Sequence, residues 1–306
     1  MTSSNIIAAT ATDAGFVPEV FANEALELLR PNFVLASRVT KDSEIAAFDR
    51  GQTLTVGFAG EFVANDKAQN QPVQKQTPDG KTVEVTLNRH KEVTFLLEDF
   101  TRAISNPSTF QNYLANTVDP LAQAVEKDLF STYSSFTGST GASGTNLDAA
   151  ALRRVRRTFT DRKVKTGNRF LALSTKDVEA LQADPSLATF FAYNESRDQV
   201  ITEGNLPKIY GTQLLESQLV PTVAGTPVST KNLAFDPGAI VMASRHLPLA
   251  PNGVPVVQTV IQDPDSGLVL RVTMSYSADY LGVQVTLDIL YGFSVLRDEK
   301  GFTVLS

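Results

Sequence analysis

Between residues 50 and 90 the apolar positions fall two apart. Leu54, Val56 and Phe58 alternate with other residues, as do Val83, Val85 and Leu87, which predicts two strands. The stretch between them, Ala59 to Gly80, is rich in Asn, Gln, Lys and Asp, and Thr77-Pro-Asp-Gly80 is a turn signal. On the residues alone two shapes stay open: two strands joined by a surface loop, or a long β-hairpin reaching away from the body. Upstream, Phe16-Val-Pro-Glu-Val-Phe21 leads into a short helical pattern at Glu24-Ala-Leu-Glu-Leu-Leu29, which Pro31 should stop. That first stretch reads as an arm whose few apolar residues pack against something else.

From residue 106 the period lengthens. Asn106-Pro107-Ser108 predicts a helix start with Ser108 as N-cap. Phe110, Tyr113, Leu114, Val118, Leu121, Val125, Leu129 and Tyr133 follow at steps of one, three and four. They form one apolar stripe on a helix of about 29 residues through Phe136, spanning about 43 Å. Pro120 lies inside and should kink or divide it. The Gly/Ser/Thr stretch 137–144 then marks the best candidate for a domain boundary. It lacks the lysine and spacing of a phosphate-binding loop.

Beyond this stretch the pattern mixes helix and strand. Leu147 to Arg162 reads as a helix burying Leu152, Val155 and Phe159, and Asn168 to Leu173 as a strand. Ser174 caps a short helix carrying Val178 and Leu181, which Asp184-Pro-Ser186 breaks. Leu206 to Leu215 reads as another strand. The last third is mostly β: Ala239 to Ala243, Val256 to Ile261 and Leu268 to Tyr276, then a clean alternation at Val283, Val285, Leu287 and Ile289. The fold class is therefore α+β.

Composition narrows the chemistry. No apolar run approaches the eighteen or so residues of a membrane span, and the amino terminus does not read as a signal peptide. With no cysteine, disulfides, thiolate catalysis and cysteine metal sites are excluded. Two histidines, His90 and His246, cannot make a His-rich metal centre. His90 stands between Arg89 and Lys91, which would oppose its protonation, and no Gly-x-Ser-x-Gly elbow surrounds a serine. Glu98-Asp99 reads as solvated surface, and Asp263-Pro-Asp-Ser-Gly267 as a turn rather than calcium ligation. No catalytic residue, cofactor or metal is expected. The net charge of −6 disfavours the whole molecule as a conventional nucleic-acid binder but leaves room for a basic face. Arg153, Arg154, Arg156 and Arg157, followed by Arg162, Lys163 and Lys165, are the densest charge on the chain. They could meet phosphates, pair with acidic residues of a neighbouring subunit, or form a solvated helix face.

Several passages share a family likeness: Phe16-Val-Pro-Glu-Val20, Thr166 to Ser174, Ile209 to Ser217, and Phe235 to Leu249, where Asp236 departs from a usual basic residue. Asp263 to Arg271 and Leu290-Tyr-Gly-Phe-Ser-Val-Leu-Arg297 match most closely. In their order and spacing these resemble the major capsid (coat) proteins of tailed bacteriophages with the Hong Kong 97-like fold, over nearly the whole chain.

The resemblance implies an N-terminal arm and start of the peripheral domain at 1–50, an extended hairpin loop at 51–92, and the peripheral domain with its spine helix at 93–145. The axial domain would occupy 146–234, and strands 235–306 would complete both. No inserted domain and no amino-terminal scaffolding segment are expected.

It further implies a non-enzymatic subunit that self-assembles into pentamers and hexamers of an icosahedral shell around double-stranded DNA contacted non-specifically. Portal, scaffolding and decoration proteins would be its other partners, with no membrane, in a virion assembled in the host cytoplasm. Phe62, Val63, Lys67 and Lys75 of the loop become the intersubunit contacts, and the four arginines at 153–157 the charge-pairing or DNA-facing group. The alternatives are an encapsulin-type cargo cage and a phage tail ring or tube protein.

Overall fold

The structure, a computed structural model, describes residues 33–41, 53–58, 62–77, 80–99, 107–187, 208–251 and 253–306, plus positions 23, 25, 27 and 28 of a helical stretch. The expected arm at Phe16–Phe21, the stop at Pro31 and the start signal at Asn106 lie outside these residues, as do the side chains of Phe110, Tyr113 and Leu114.

The strands are β1 (Thr40–Lys41), β2 (Thr53–Phe58), β3 (Lys81–Thr86), β4 (Arg89–Glu98), β5 (Ser139–Gly141), β6 (Arg169–Leu173) and β7 (Thr212–Glu216). Then come β8 (Thr222–Val223), β9 (Ser229–Phe235), β10 (Ile240–Arg245), β11 (Val256–Gln262), β12 (Val269–Ser277), β13 (Gly282–Val295) and β14 (Gly301–Leu305). Between some of them lie the helices α1 (Pro107–Phe130), α2 (Ala149–Asp161) and α3 (Thr175–Ala183).

One sheet is organised by β13, whose clean alternation was legible in the sequence. Along one edge β13 pairs antiparallel with β4 from Gly282↔Glu98 to Tyr291↔Arg89. Along the other it pairs first with β12 (Gly282 to Ile289) and then, end to end, with β10 (Leu290 to Val295). β11 extends β12, and β1 adds in parallel to β10. The inward side chains Val285, Leu287, Ile289 and Tyr291 are fully buried and pack with Val118, Leu121, Ala122, Val125 and Leu129 of α1. Apolar stripe thus meets alternating sheet face, the arrangement that two such patterns can bury together.

The second sheet has the order β5-β14-β9-β6-β7, with β8 beside β9. Its central strands β6, β9 and β14 are buried on both faces, while β5 and β8 at its margins are largely exposed. Leu171 and Leu173 of β6 join Leu152, Val155 and Phe159 of α2 and Val178 and Leu181 of α3 in one cluster. Ala172 of β6 and Leu233 and Phe235 of β9 face the α1 cluster instead.

Several expectations are corrected. The long helix ends at Phe130, and Ser131–Ser135 continues as a 3-10 turn, so Tyr133 and Phe136 lie beyond the α-helix. It begins at Pro107, so Ser108 sits in its first turn and is not the cap; proline at the first helical position wastes no hydrogen bond. Pro120 does not divide α1. It is exposed, as is Asn116 four residues before it, so the carbonyl it leaves unbonded lies on the exposed side of the helix. The strand expected from Leu206 starts only at Thr212. Tyr210 (φ 48°) and Gly211 (φ 79°) make a two-residue turn closed by reciprocal Ile209–Thr212 backbone hydrogen bonds of 3.0 and 2.9 Å. The stretch 137–144 contains β5, paired in parallel with β14.

Other local signals hold. Ser174 caps α3 as expected, accepting from the Asp177 amide; the Asp148 cap of α2, through the Ala151 amide at 2.6 Å, was not among the sequence expectations. The Asp263 carboxylate is spent on its own turn, accepting from the Ser266 amide (2.9 Å) and hydroxyl (2.6 Å).

Candidate functional site

β2 and β3 pair antiparallel from Thr53↔Thr86 to Phe58↔Lys81, so the two alternating segments form one hairpin. Every described residue from Phe62 to Thr77 is exposed. Three large apolar side chains stand there, Phe62 at 65%, Val63 at 68% and Val73 at 66% exposure. Lys67 and Lys75 flank them, also exposed. The neck of the loop is tied by Gln76, whose carboxamide oxygen accepts from the Val63 amide at 2.9 Å while its nitrogen donates to the Val63 carbonyl. One side chain thereby reproduces a strand pairing where no second strand lies.

The root of the hairpin is anchored in the body. Val85 and Leu87 are buried against Val241, Ala243 and Leu290, with Leu54 and Val56 packed beside them. Arg297 lies over the Phe58 ring at 4.8 Å. β3 runs through Leu87-Asn88 directly into β4, so the returning arm of the hairpin becomes a strand of the main sheet.

Where β4 leaves the hairpin it meets α1 and β13. Asp128 of α1 takes Arg89 at 2.9 Å, Lys91 at 3.3 Å and the Tyr291 hydroxyl at 2.7 Å. Burial pushes this carboxyl up, but the hydrogen bonds from Tyr291 and Arg89 and the nearby cations outweigh it and hold it below the usual carboxylate range. The Tyr291 phenol is raised, by burial first and then by Asp128. Arg89 also stacks over Phe293 at 4.5 Å. On the same sheet Asp288, 3% exposed at its side chain, is held bidentate by Arg271 at 2.8 and 3.0 Å and meets His90 at 3.0 Å. His90 therefore has a carboxylate partner across the sheet that its two cationic sequence neighbours do not suggest. His246 is exposed and meets only its neighbour's carbonyl, Leu247 O, at 2.9 Å.

Arg153, Arg154, Arg156 and Arg157 share the exposed side of α2. Arg157 reaches Asp161 at 3.4 Å and Arg154 reaches Asp148 at 3.9 Å, both solvent-exposed pairs. Arg162 turns inward, donating to Gly301 O at 2.8 Å and lying over Phe302 at 5.2 Å. Buried Arg169 holds the turn after the helix from beneath through the Lys165 and Val164 carbonyls. Among the described residues no group of three or more His, Cys, Asp or Glu is gathered for a metal, and no helix is long and apolar enough to cross a membrane.

No family model matches the chain, and no curated protein matches it. Solved structures do. A structure from Mycobacterium phage Che8 superposes with a TM-score of 0.61 at 14% identity, covering 89% of this chain and 90% of that one. The capsid of Ralstonia phage GP4 gives 0.58 at 12% identity over 88% and 86%. An encapsulin complex from Synechococcus elongatus gives 0.52 at 10% over 88% and 85%. The chain has the Hong Kong 97-like capsid fold.

Within this capsid fold, the sequence pointed to the hairpin and the arginines but not to the groups that fix them. Glu126 is the clearest omission. It sits four residues after Ala122 and eight after Val118, in phase with the buried stripe of α1, and is 1% exposed. Its carboxylate accepts from the Leu35 amide (2.9 and 3.0 Å) and the Ala36 amide (2.9 Å), bonding the turn at Phe33–Val39 to the helix. Burial raises its pKa to about 7, against the lowering effect of those amides and of Arg38. An acid in register with an apolar stripe was the available signal. Asp128 and Asp288 gave none, because their partners come from distant strands.

Proposed function

We propose that this chain is the major shell subunit of a tailed phage, closing in rings of five and six copies into an icosahedral capsid around double-stranded DNA. The reading is carried by one observation: in a chain with the capsid fold, the hairpin is anchored at its root yet holds Phe62, Val63 and Val73 in solvent at its far end. Three such side chains stabilise an assembly by about 1.5–3 kcal/mol each when a neighbour covers them. A hairpin from one copy lying on another makes a heterologous contact, the type that closes rings. Lys67 and Lys75 would rim that contact.

In this reading α1 is the spine helix of a peripheral domain, the β13 sheet belongs to that domain, and the sheet carrying α2 and α3 is the axial domain. The subunit works by association and not by catalysis, in a virion, with portal and scaffolding proteins as partners and a decoration protein as a further one.

Electron microscopy of the purified chain, with scaffolding protein supplied, tests this. Closed shells, or rings of five and six, are expected, and Phe62→Asp should abolish them while leaving a folded subunit. Persistent monomers from the unmodified chain overturn the reading. Particles that hold a cargo enzyme and no DNA would assign the chain to the encapsulin cages instead, and open tubes or single rings to a tail.

A further inference from the structure

The outward face of α2 is predominantly positive. Arg153, Arg154, Arg156, Arg157, Lys163 and Lys165 are all exposed, against the two carboxylates Asp148 and Asp161. This runs against the rest of the molecule. Residues 148–165 hold seven Lys or Arg and two Asp, a net +5, so in a chain of net −6 the remainder carries −11. Among the described residues Arg153 and Arg156 have no carboxylate partner, and the two pairs that exist, at 3.4 and 3.9 Å, are of the exposed kind that salt dissolves.

The face also lacks what a protein interface needs. Interface cores are built on buried apolar and aromatic anchors. Among the described residues the exposed large apolar side chains lie elsewhere: on the hairpin, at Leu96 of β4, at the end of β12 and the turn after it, near β8, and along 249–257. The hydroxyls of Thr158 and Thr160 are turned back onto the Arg154 and Arg156 carbonyls at 3.0 and 2.9 Å, so they offer no recognition pattern. What remains is a fork of guanidinium groups, the chemistry that takes phosphate oxygens bidentately and reads no sequence. Without an aromatic on the face there is no platform on which single-stranded bases would stack.

We infer that the arginine face of α2 is a docking surface for the phosphodiester backbone of duplex nucleic acid, bound without sequence preference. This deepens the shell reading and rests on it for the source of the polyanion.

The test measures binding of the unassembled fraction of the full chain to a short DNA duplex of arbitrary sequence between about 50 and 200 mM salt. The unmodified chain should bind with an affinity that falls steeply with salt and is the same for unrelated sequences. Arg153→Gln with Arg156→Gln should make the log–log salt slope shallower by about two, since each phosphate contact contributes about 0.9. Lys81→Gln on β3 with Lys127→Gln on α1, the same charge change at exposed positions away from α2, should leave the slope unchanged. Circular dichroism checks folding, and the single Arg156→Gln change, read as a slope change of about one, serves if the pair does not fold.

Absent binding by the unmodified chain, an unchanged slope in the arginine variant, or equal loss in the lysine control overturns the inference. So does an arginine variant that binds duplex normally but no longer assembles, because the face would then be a contact with a second copy. The two readings fail separately. Particles that form and enclose duplex with both arginines neutralised retire this inference alone. An unmodified chain that binds duplex yet never forms particles retires the shell reading alone.

Discussion

Gly292 of β13 lies beneath Thr86 of β3, so closely that a Cβ at 292 would collide with the Thr86 carbonyl oxygen and stand 3.1 Å from the Leu87 Cα. At this point the hairpin crosses the main sheet backbone to backbone, with no side chain between them. Gly292→Ala must push the root of the hairpin outward, at about 1–3 kcal/mol. Urea unfolding should show that loss. Gly57→Ala in β2, where an added Cβ meets nothing within 4 Å, should be neutral within about 0.5 kcal/mol. Equal effects at the two glycines would contradict the crossing.

Asp128 gathers Arg89, Lys91 and Tyr291 at the junction of hairpin strand, helix and sheet. Asp128→Asn should destabilise the subunit by about 1–3 kcal/mol. Because its folded pKa lies below the ordinary 3.8, its contribution is present above that pH and is lost as pH falls through the folded value. The acid limb of the stability curve should therefore be shallower in the variant. An acid limb that superimposes on that of the unmodified chain would rule this role out.

Glu126 behaves in the opposite sense. Its folded pKa of about 7 exceeds the ordinary 4.5, so the proton is held more tightly in the folded state. The stability it contributes is complete below about 4.5 and is lost as pH rises through about 7. Over that window the change is about 3 kcal/mol. The docking of residues 33–39 on α1 should weaken first. Limited proteolysis at pH 5.5 and pH 8 should cut within that turn more readily at the higher pH, and Glu126→Gln should remove the difference. Cleavage that ignores pH would count against it.

Arg271 and Asp288 face each other directly across β12 and β13, with Asp288 almost wholly enclosed. Arg271→Ala removes both guanidinium bonds to that carboxylate and leaves it His90, and should lower stability by about 3 kcal/mol. Arg157→Ala, which breaks a pair on the exposed face of α2, should change it by under about 1 kcal/mol. Thermal unfolding of the two variants side by side distinguishes them.

What the sequence disclosed is what short-range physics dictates. The alternation through Val283–Ile289, the Ser174 cap and the Asp263 turn depend on residues within a few positions of one another, and each is found. Arginines at 153, 154, 156 and 157 had to share a face of an amphipathic helix, and they do. The turn at Tyr210–Gly211 was missed because Leu206 to Leu215 was read as one strand straight through Gly211. β5 was missed because Ser139–Gly141 has no strand character of its own and becomes a strand only when β14 runs alongside. Glu126, Asp128 and Asp288 escaped for a related reason: a buried carboxylate is recognised by the donors around it, and those arrive from up to 198 positions away.

The pairing order has a consequence for synthesis. β13 is the common neighbour of β4, β10 and β12, and β14 lies between β5 and β9. Neither sheet can be completed until residues 282–305 have left the ribosome. A nascent or truncated chain presents the open edges of β4 and β9 and lacks the strand on which the hairpin root rests. Translation order thereby sets the order of folding, because both sheets stay open until β13 and β14 have been made.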